Sequence, residues 1–277
     1  MAVPLDSLET LRPLLLSSPL GLLSDIDGTL SPIAPRPEEA RVPEGVRRHL
    51  LQLIEAGVRV AFVTGRRAEV ARRWLDLPGA VYVGNHGLEV WDRGRLRFAP
   101  GVRPFVARAR AALEELAPLG GLPGVLLEEK GPVLAVHYRL APDPERAREL
   151  VLGAVRLSPA ARAFQVHEGK MVVELRPPLG IDKGRAARLL ARRWRGVLAL
   201  GDDTTDADMF RALRGLRGKR VACVAVLGEG TPTALLELAD YTVPGVSGVE
   251  WLLGEMVRAL RLWRRPAGPA TDAPART

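Results

Sequence analysis

The stretch Asp25-Ile26-Asp27-Gly28-Thr29-Leu30 follows the apolar run Leu20-Gly21-Leu22-Leu23 and places two carboxylates two residues apart. A short apolar run that ends at turn residues predicts a buried strand, and Gly28 allows the chain to turn sharply after it. Open α/β sheets bind ligands at the carboxyl ends of their strands. The stretch therefore predicts an α/β sheet with a metal-assisted aspartate nucleophile at that edge, although a bare pair of such acids is more often only a polar turn.

Two later segments offer contacts for a phosphate group. A strand predicted over 58–63 ends at Thr64-Gly65-Arg66, which supplies a hydroxyl and free backbone N–H groups. Alone, Thr64 is more often a cap of the following helix. Lys183 opens a helix in Gly180-Ile181-Asp182-Lys183-Gly184-Arg185, and a helix N-terminus favours anions.

A second acidic cluster follows the apolar run 197–201. Asp202, Asp203, Asp206 and Asp208 lie within seven positions, and such carboxylates repel one another unless a cation or solvent separates them. Oxygen ligands without sulfur or imidazole favour Mg²⁺, so the sequence predicts a magnesium site.

Lysine usage adds an independent argument. Of the 40 basic residues only four are lysines, and three of them, Lys130, Lys170 and Lys183, fall in motif-like segments. A compact ammonium differs in function from the planar fork of arginine, which indicates that these positions require it. Lys219 precedes a strand in a basic turn and is interpreted as ordinary surface.

The periodicity predicts a doubly wound α/β sheet interrupted by a second unit. Strands are predicted over 21–26, 58–63, 80–84, 197–201, 220–226 and 240–243, and helices over 43–56, 67–76, 183–194, 205–214, 231–238 and 247–262. Between them, 103–177 has a helix–strand–strand rhythm written twice, which predicts an α+β module with an antiparallel sheet. The expected domains are a core of 1–102 and 178–265, a cap of 103–177 inserted into it, and a disordered tail of 266–277.

The first stretch resembles the opening motif of the haloacid dehalogenase superfamily of phosphotransferases. Over residues 20 to 260 the chain also resembles trehalose-6-phosphate phosphatases, through five strings in matching order. These strings are Gly84-Asn85-His86-Gly87-Leu88-Glu89, Leu127-Glu128-Glu129-Lys130-Gly131, Ala135-Val136-His137-Tyr138-Arg139, the segment 169–177 with Lys170 and Glu174, and the acidic cluster 201–210. The resemblance implies a Rossmann-like core with a cap that recognises the substrate.

The resemblance also implies roles for residues of the core. Asp25 would attack phosphorus and form an aspartyl phosphate, and Asp27 would act as general acid and then as general base. Mg²⁺ would be held by Asp25, the Asp27 carbonyl and Asp202, while Thr64 and Lys183 would bind the equatorial phosphate oxygens. Asp203 and Asp206 would either bind the metal through water or orient Lys183, two roles that the sequence does not separate.

Substrate contacts are expected from the segment 64–66, from the loop after the strand predicted over 80–84, and from the cap. The residues concerned are Gly65, Arg66, Asn85, His86, Glu128, Lys130, Lys170 and Glu174. Period-two spacing places Glu128 with Lys130, and Lys170 with Glu174, on shared strand faces, where they can exchange hydrogen bonds with sugar hydroxyls. Surface ion pairs are the alternative interpretation of these residues. His137 faces either the interior of the cap or its binding side.

Composition limits the remaining function classes. No apolar run approaches the roughly 18 residues that span a bilayer, and no signal peptide is evident, so we expect a soluble cytoplasmic protein. The single Cys223 lies in an apolar strand and is interpreted as a small core residue. A net charge of +8 favours anionic partners, but the arginines are scattered in pairs, so a small sugar phosphate is expected as partner rather than nucleic acid. A monomer is favoured. Two alternatives stay open: a phosphatase for another glycosyl phosphate, of glucosylglycerol or glucosylglycerate type, and a non-enzymatic protein that binds anions or nucleic acid.

Overall fold

The computed structural model describes residues 2–34 and 39–264, so the predicted tail of 266–277 lies outside the described residues. The strands are β1 Val3–Pro4, β2 Leu20–Ser24, β3 Arg59–Val63, β4 Val81–Gly84, β5 Glu89–Asp92, β6 Arg95–Phe98, β7 Leu126–Glu129, β8 Leu134–His137, β9 Gln165–Gly169, β10 Val172–Arg176, β11 Gly196–Gly201, β12 Arg220–Leu227 and β13 Tyr241–Pro244. The α-helices are α1 Arg12–Leu15, α2 Glu44–Glu55, α3 Ala68–Leu75, α4 Pro104–Leu116, α5 Pro144–Leu157, α6 Lys183–Ala191, α7 Thr204–Arg214, α8 Thr233–Leu238 and α9 Gly245–Trp263.

The larger sheet is built around parallel strands. Its order within the described ranges is β1-β13-β12-β11-β2-β3-β4-β5-β6, and neighbours are parallel from β1 through β4. Leu198 and Leu200 of β11 pack into a core cluster with α2 and α9, whereas Val197 and Ala199 pack into another with α6 and α7. Because alternate residues of a strand face opposite sides, both faces of the sheet are covered by helices. The predicted doubly wound architecture is confirmed.

The hairpin of β5 and β6 is the main element that the periodicity did not predict. Its two antiparallel strands extend the sheet beyond β4 and are joined by Arg93 and Gly94, which both have positive φ, 49° and 76°. Two consecutive left-handed residues form the tight turn that suits a hairpin. Arginine rarely adopts this conformation, so Arg93-Gly94 is a weak signal for such a turn.

The smaller sheet has the order β7-β8-β10-β9 and is antiparallel throughout. The helices α4 and α5 cover one of its faces, where Leu134, Val136, Val173 and Leu175 form a separate core cluster. These elements lie between β6 and α6 in the chain. The structure therefore shows the predicted order of helix, strand and strand, repeated twice, and α4 and α5 leave the other face of the smaller sheet uncovered. No helix of the described part of the chain is both long enough and apolar enough to cross a membrane.

Candidate active site

The site lies where β2, β3 and β11 end side by side. Asp25 follows β2 and its backbone N–H donates to Leu200 O at 3.1 Å, while Thr64 follows β3 and its N–H donates to Val83 O at 3.0 Å. Parallel strands place their carboxyl ends at one edge, which brings residues far apart in sequence together. A cleft of about 280 Å³ opens there, and it is lined by core and small-sheet residues.

Lys183 is the buried cation of the site. Its Nζ lies 2.8 Å from Asp25 Oδ2 and 2.9 Å from Asp206 Oδ1. Burial disfavours the ammonium, but Asp206 and Asp25 outweigh burial and raise the pKa of Lys183. Burial raises the pKa of Asp25 well above its ordinary value, against the opposing influence of Lys183. Lys183 therefore stays charged, and it is the only positive charge within hydrogen-bonding distance of Asp25 among the described residues.

Asp202 is held beside Asp25 by the turn after β2. Thr29 Oγ1 donates to Asp202 Oδ1 at 2.7 Å. Gly28 has a φ of +85°, and a Cβ built on it would lie 2.0 Å from Asp202 Oδ2. Only glycine combines this backbone conformation with the close approach of a carboxylate. The role of Thr29, which lies in the stretch 25–30, was not predicted from the sequence.

Asp206 and Asp203 have different contacts. Asp206 is fully buried; its Oδ1 accepts from Lys183, and its Oδ2 accepts from the backbone N–H groups of Asp202 and Asp203 at 3.1 and 3.2 Å. Asp203 Oδ1 accepts from Thr205 N at 2.8 Å and so caps α7. Of the two roles left open by the sequence, these contacts support orientation of Lys183 by Asp206, and Asp203 stabilises the helix start.

Asp25, Asp202 and Asp206 form a carboxylate cluster that fits a divalent cation. One oxygen from each lies within 4.8 Å of the others. Burial and the charge of Asp25 raise the pKa of Asp202 to about 7, and burial raises the pKa of Asp206 to about 6 although Lys183 opposes it. Carboxylates that resist ionisation together are stabilised as anions by a bound cation.

We expect a pH-dependent stability difference between the parent and Asp202→Asn in EDTA. The folded-state pKa of Asp202 is raised, so the native state holds an extra proton and loses stability as pH rises from about 4 to 7. The amide cannot ionise and still accepts from Thr29. The variant should match the parent near pH 4 and exceed it by roughly 2–4 kcal/mol above pH 7, measured by urea unfolding. If the free energies of unfolding of the parent and the variant changed in parallel with pH, the raised pKa of Asp202 would be contradicted.

Asp27 is engaged by Arg66 within the cleft. Arg66 Nε lies 2.7 Å from Asp27 Oδ2, and Arg66 Nη2 lies 2.6 Å from Asp27 Oδ1. The guanidinium also stacks on the ring of Trp74 at 4.3 Å. Arg66 was expected to bind substrate. The structure shows that it also contacts Asp27, the residue expected to act as general acid and base.

Across the cleft, the open face of the small sheet presents a polar network. Lys130 Nζ donates to Glu174 Oε1 at 2.9 Å and lies 3.7 Å from Glu128 Oε2, which also lies 2.8 Å from His137 Nε2. Burial lowers the pKa of a lysine, but Glu174 and Glu128 outweigh it and raise that of Lys130. His137 lines the cleft, so it faces the binding side rather than the interior.

Lys170 is placed differently from its expectation. It lies in the exposed turn between β9 and β10, where Met171 has a φ of 63°, and not on a strand. The expected strand face shared by Lys170 and Glu174 is therefore wrong, because the hairpin turns at this point. Lys170 nevertheless lines the cleft, whereas Glu174 is 5% exposed and lies behind Lys130.

The loop after β4 joins the two sheets. Asn85 and His86 have positive φ of 49° and 57°. Asn85 is 1% exposed and its Nδ2 donates to Lys130 O at 2.9 Å, so its amide holds the small sheet instead of lining the cleft. His86 Nε2 lies 2.8 Å from Arg176 Nη2, and burial lowers the pKa of His86 to about 4, which keeps it neutral near pH 7.

Eleven of the fifteen predicted site residues line one cleft. They are Asp25, Asp27, Thr64, Gly65, Arg66, His86, Glu128, Lys130, Lys170, Lys183 and Asp203. Asp202, Asp206, Asn85 and Glu174 lie behind them and contact them. Arg176 was missed: its Nε donates to Glu174 Oε2 at 2.8 Å. Its period-two spacing from Glu174 on β10 was the available signal.

Known proteins resemble this chain in sequence and fold. Residues 23–236 match the model of the trehalose-phosphatase family. The chain is 39% identical over 203 residues to a trehalose-phosphate phosphatase of Mycobacterium avium, covering 69% of this chain and 50% of that one. It is 35% identical over 202 residues to a probable trehalose-phosphate phosphatase of Sinorhizobium fredii, covering 71% and 75%. The match thus spans about half the length of the first relative.

Solved structures share the fold. The C-terminal domain of a trehalose-6-phosphate phosphatase from C. albicans superimposes with a TM-score of 0.72 at 24% identity, covering 93% of this chain and 98% of that one. A haloacid dehalogenase-like hydrolase from Bacteroides thetaiotaomicron also superimposes, with a TM-score of 0.60 at 18% identity over 86% of this chain and 99% of that one, so the predicted fold class is confirmed. The family match covers Asp25, Thr64 and Asp202 at strand ends and Lys183 at the start of α6, and on this basis the chain belongs to the trehalose-phosphatase family.

Proposed function

We propose that this protein is a phosphatase that hydrolyses trehalose 6-phosphate to trehalose and phosphate. The carrying observation is the buried Asp25–Lys183 pair at the edge of the parallel sheet, facing the polar network of Lys130, Glu128 and His137 across one cleft. The first arrangement suits phosphoryl transfer, and the second suits a hydroxyl-rich ligand. We propose that residues 103–177 act as the cap that reads the sugar.

The reaction is proposed to proceed in two steps on Asp25. A carboxylate oxygen of Asp25 attacks phosphorus as the bond to the sugar oxygen breaks, and Asp27 gives that oxygen a proton. Asp27 then takes a proton from water, which attacks the aspartyl phosphate and releases phosphate. Lys183 and Thr64 stabilise the charge on the phosphoryl oxygens, and Asp206 keeps Lys183 in place.

The carboxylate cluster is proposed to hold Mg²⁺. Asp25, the backbone carbonyl of Asp27 and Asp202 would bind the ion, since both oxygens of Asp206 already accept hydrogen bonds. When bound, Mg²⁺ would offset the repulsion between the anionic nucleophile and the substrate phosphate. Apart from the ion, we propose a monomeric cytoplasmic enzyme whose partner is a small sugar phosphate and not nucleic acid.

A phosphate-release assay over a panel of sugar phosphates tests this function. Trehalose 6-phosphate, glucose 6-phosphate, glucosylglycerol phosphate and glucosylglycerate phosphate would be compared in Mg²⁺ and in EDTA. Trehalose 6-phosphate should give the highest kcat/KM, EDTA should silence it, and Mg²⁺ should restore it. Preference for another glycosyl phosphate would revise the substrate, and full activity after rigorous chelation would overturn the metal role.

Lys170→Ala should weaken recognition of the sugar without affecting the chemistry. The side chain is exposed and lines the cleft, so its loss leaves no buried charge. Loss of one hydrogen bond to a sugar hydroxyl should lower kcat/KM on trehalose 6-phosphate by about tenfold and leave p-nitrophenyl phosphate nearly unchanged. Steady-state kinetics on both substrates measures this. Arg156→Ala, an exposed change on α5 away from the cleft, is the control. Equal losses on both substrates would indicate a role in cap structure instead.

A further inference from the structure

The carboxylate of Asp27 is gripped at both oxygens by a single side chain. Arg66 Nε donates to Oδ2 at 2.7 Å, and Arg66 Nη2 donates to Oδ1 at 2.6 Å. Two parallel hydrogen bonds from a planar guanidinium fix the plane of a carboxylate as well as its position. An ammonium is a compact point charge and does not fix the plane. Arg66 therefore determines how Asp27 is presented to the cleft.

Arg66 is itself held in place. Its guanidinium carbon lies 4.3 Å from the ring centroid of Trp74, a residue of α3 that packs against the core of the larger sheet. Its backbone N–H donates to Thr64 Oγ1 at 3.2 Å, and its carbonyl accepts from Asn85 N at 2.8 Å. A stacked aromatic ring restricts the guanidinium to one plane. The geometry forms a series in which Trp74 orients Arg66 and Arg66 orients Asp27.

Resting on the proposed phosphatase function, we propose that Arg66 and Trp74 are positioning residues for Asp27 in the proton transfer to the leaving sugar, and that Arg66 is not a ligand of the phosphate. In this step the bond from Asp25 to phosphorus forms, the bond from phosphorus to the sugar oxygen breaks, and the proton passes from Asp27 to that oxygen. A carboxylate has about four lone-pair sites and Arg66 occupies two of them, so Asp27 can carry the transferred proton on one of the others while both hydrogen bonds from Arg66 are kept.

Leaving groups separate the two possible roles of Arg66. A sugar oxygen leaves poorly without a proton, whereas p-nitrophenolate leaves without one. The ratio kcat/KM covers substrate binding and transfer to Asp25, but not the later attack of water. A residue that acts through Asp27 therefore affects kcat/KM for trehalose 6-phosphate alone. A phosphate ligand affects both substrates and also the binding of inorganic phosphate.

The experiment compares the single variants Arg66→Lys, Trp74→Leu and Trp74→Phe with the parent protein. It also compares the double variant of Arg66→Lys and Asp27→Ala with Asp27→Ala alone. We expect Arg66→Lys and Trp74→Leu to lower kcat/KM for trehalose 6-phosphate by about tenfold, and Trp74→Phe to retain most of it. For p-nitrophenyl phosphate, kcat/KM should change by less than about twofold, and the inhibition constant of inorganic phosphate should stay the same. Arg66→Lys should cause no further loss in the Asp27→Ala background. Trp91→Leu is the matched control, because Trp91 stacks on Arg72 at 5.1 Å and does not line the cleft.

Three results would overturn the proposal. If Arg66→Lys kept the full kcat/KM for trehalose 6-phosphate, a positive charge alone would suffice at this position. Equal losses on both substrates, with weaker inhibition by phosphate, would make Arg66 a phosphate ligand. A full tenfold loss in the Asp27→Ala background would separate Arg66 from Asp27. Failure of the proposed function looks different, since the parent would then not hydrolyse trehalose 6-phosphate, whatever its activity on p-nitrophenyl phosphate. A double-mutant cycle of Arg66→Lys and Asp27→Ala in urea unfolding then decides, and additive losses of unfolding free energy would refute the coupling of Arg66 with Asp27.

Discussion

Asp25→Asn is expected to abolish turnover of trehalose 6-phosphate while the fold stays intact. The change removes the nucleophilic oxygen but keeps the volume of a side chain that is 5% exposed. The amide oxygen still accepts from Lys183, and the substitution relieves the repulsion from Asp206 that helps raise the pKa of Asp25. Loss of a nucleophile typically costs on the order of 10⁴-fold or more in kcat. Steady-state kinetics and thermal unfolding measure the two effects.

Asp6→Asn, an exposed change of the same chemistry, controls for the general effect of removing a carboxylate. Residual activity near that of the parent in Asp25→Asn would remove Asp25 from the mechanism. A large fall in melting temperature would instead show that the Asp25–Lys183 pair is needed for folding.

Lys183→Met should reduce both activity and stability. The change leaves Asp25 and Asp206 buried without their cation, which typically costs about 3–5 kcal/mol. Because the pKa of Lys183 is raised above 10.5, its contribution is present throughout the ordinary pH range and is lost only as pH rises through that higher pKa. Substitution is thus the practical way to remove this charge. Both trehalose 6-phosphate and p-nitrophenyl phosphate should be hydrolysed far more slowly, because phosphoryl transfer from either requires the charge.

The double variant Lys183→Met with Asp206→Asn separates the two effects. It removes one of the stranded carboxylates, and the Asn oxygen can still accept from the backbone N–H groups at the start of α7. Urea unfolding should recover part of the lost stability, whereas kinetics should show no recovery of activity. Recovered activity would mean that Lys183 only supports the fold.

The sequence predicted which residues of the larger sheet lie together, and the reasons are physical. Buried parallel strands read as short apolar runs, and the residues that follow them meet at one edge of the sheet. Asp25, Thr64 and Asp202 each follow such a run. The local pattern therefore carried nearly all the information needed to place these residues together.

Partners contributed by distant segments were not predictable in the same way. The contact of Arg66 with Asp27 spans 39 residues, and that of Asn85 with Lys130 spans 45. Which atom a long side chain meets depends on packing across elements, and periodicity says nothing about it. For this reason Arg66 and Asn85 were expected at the substrate, and their contacts within the protein were not foreseen.

The loop after β4 has a consequence for exchanging the segment 103–177, the proposed cap, between related proteins. Asn85 holds the backbone carbonyl of Lys130, and His86 contacts Arg176, so the matching half of the junction is encoded outside residues 103–177. A chimaera that exchanges only residues 103–177 would place a segment from another protein against Asn85 and His86, which make their contacts with Lys130 and Arg176 of this one. Substrate specificity should therefore be transferred most completely when residues 84–87 are exchanged together with 103–177. The exchanged unit then consists of two segments that are separated in the sequence.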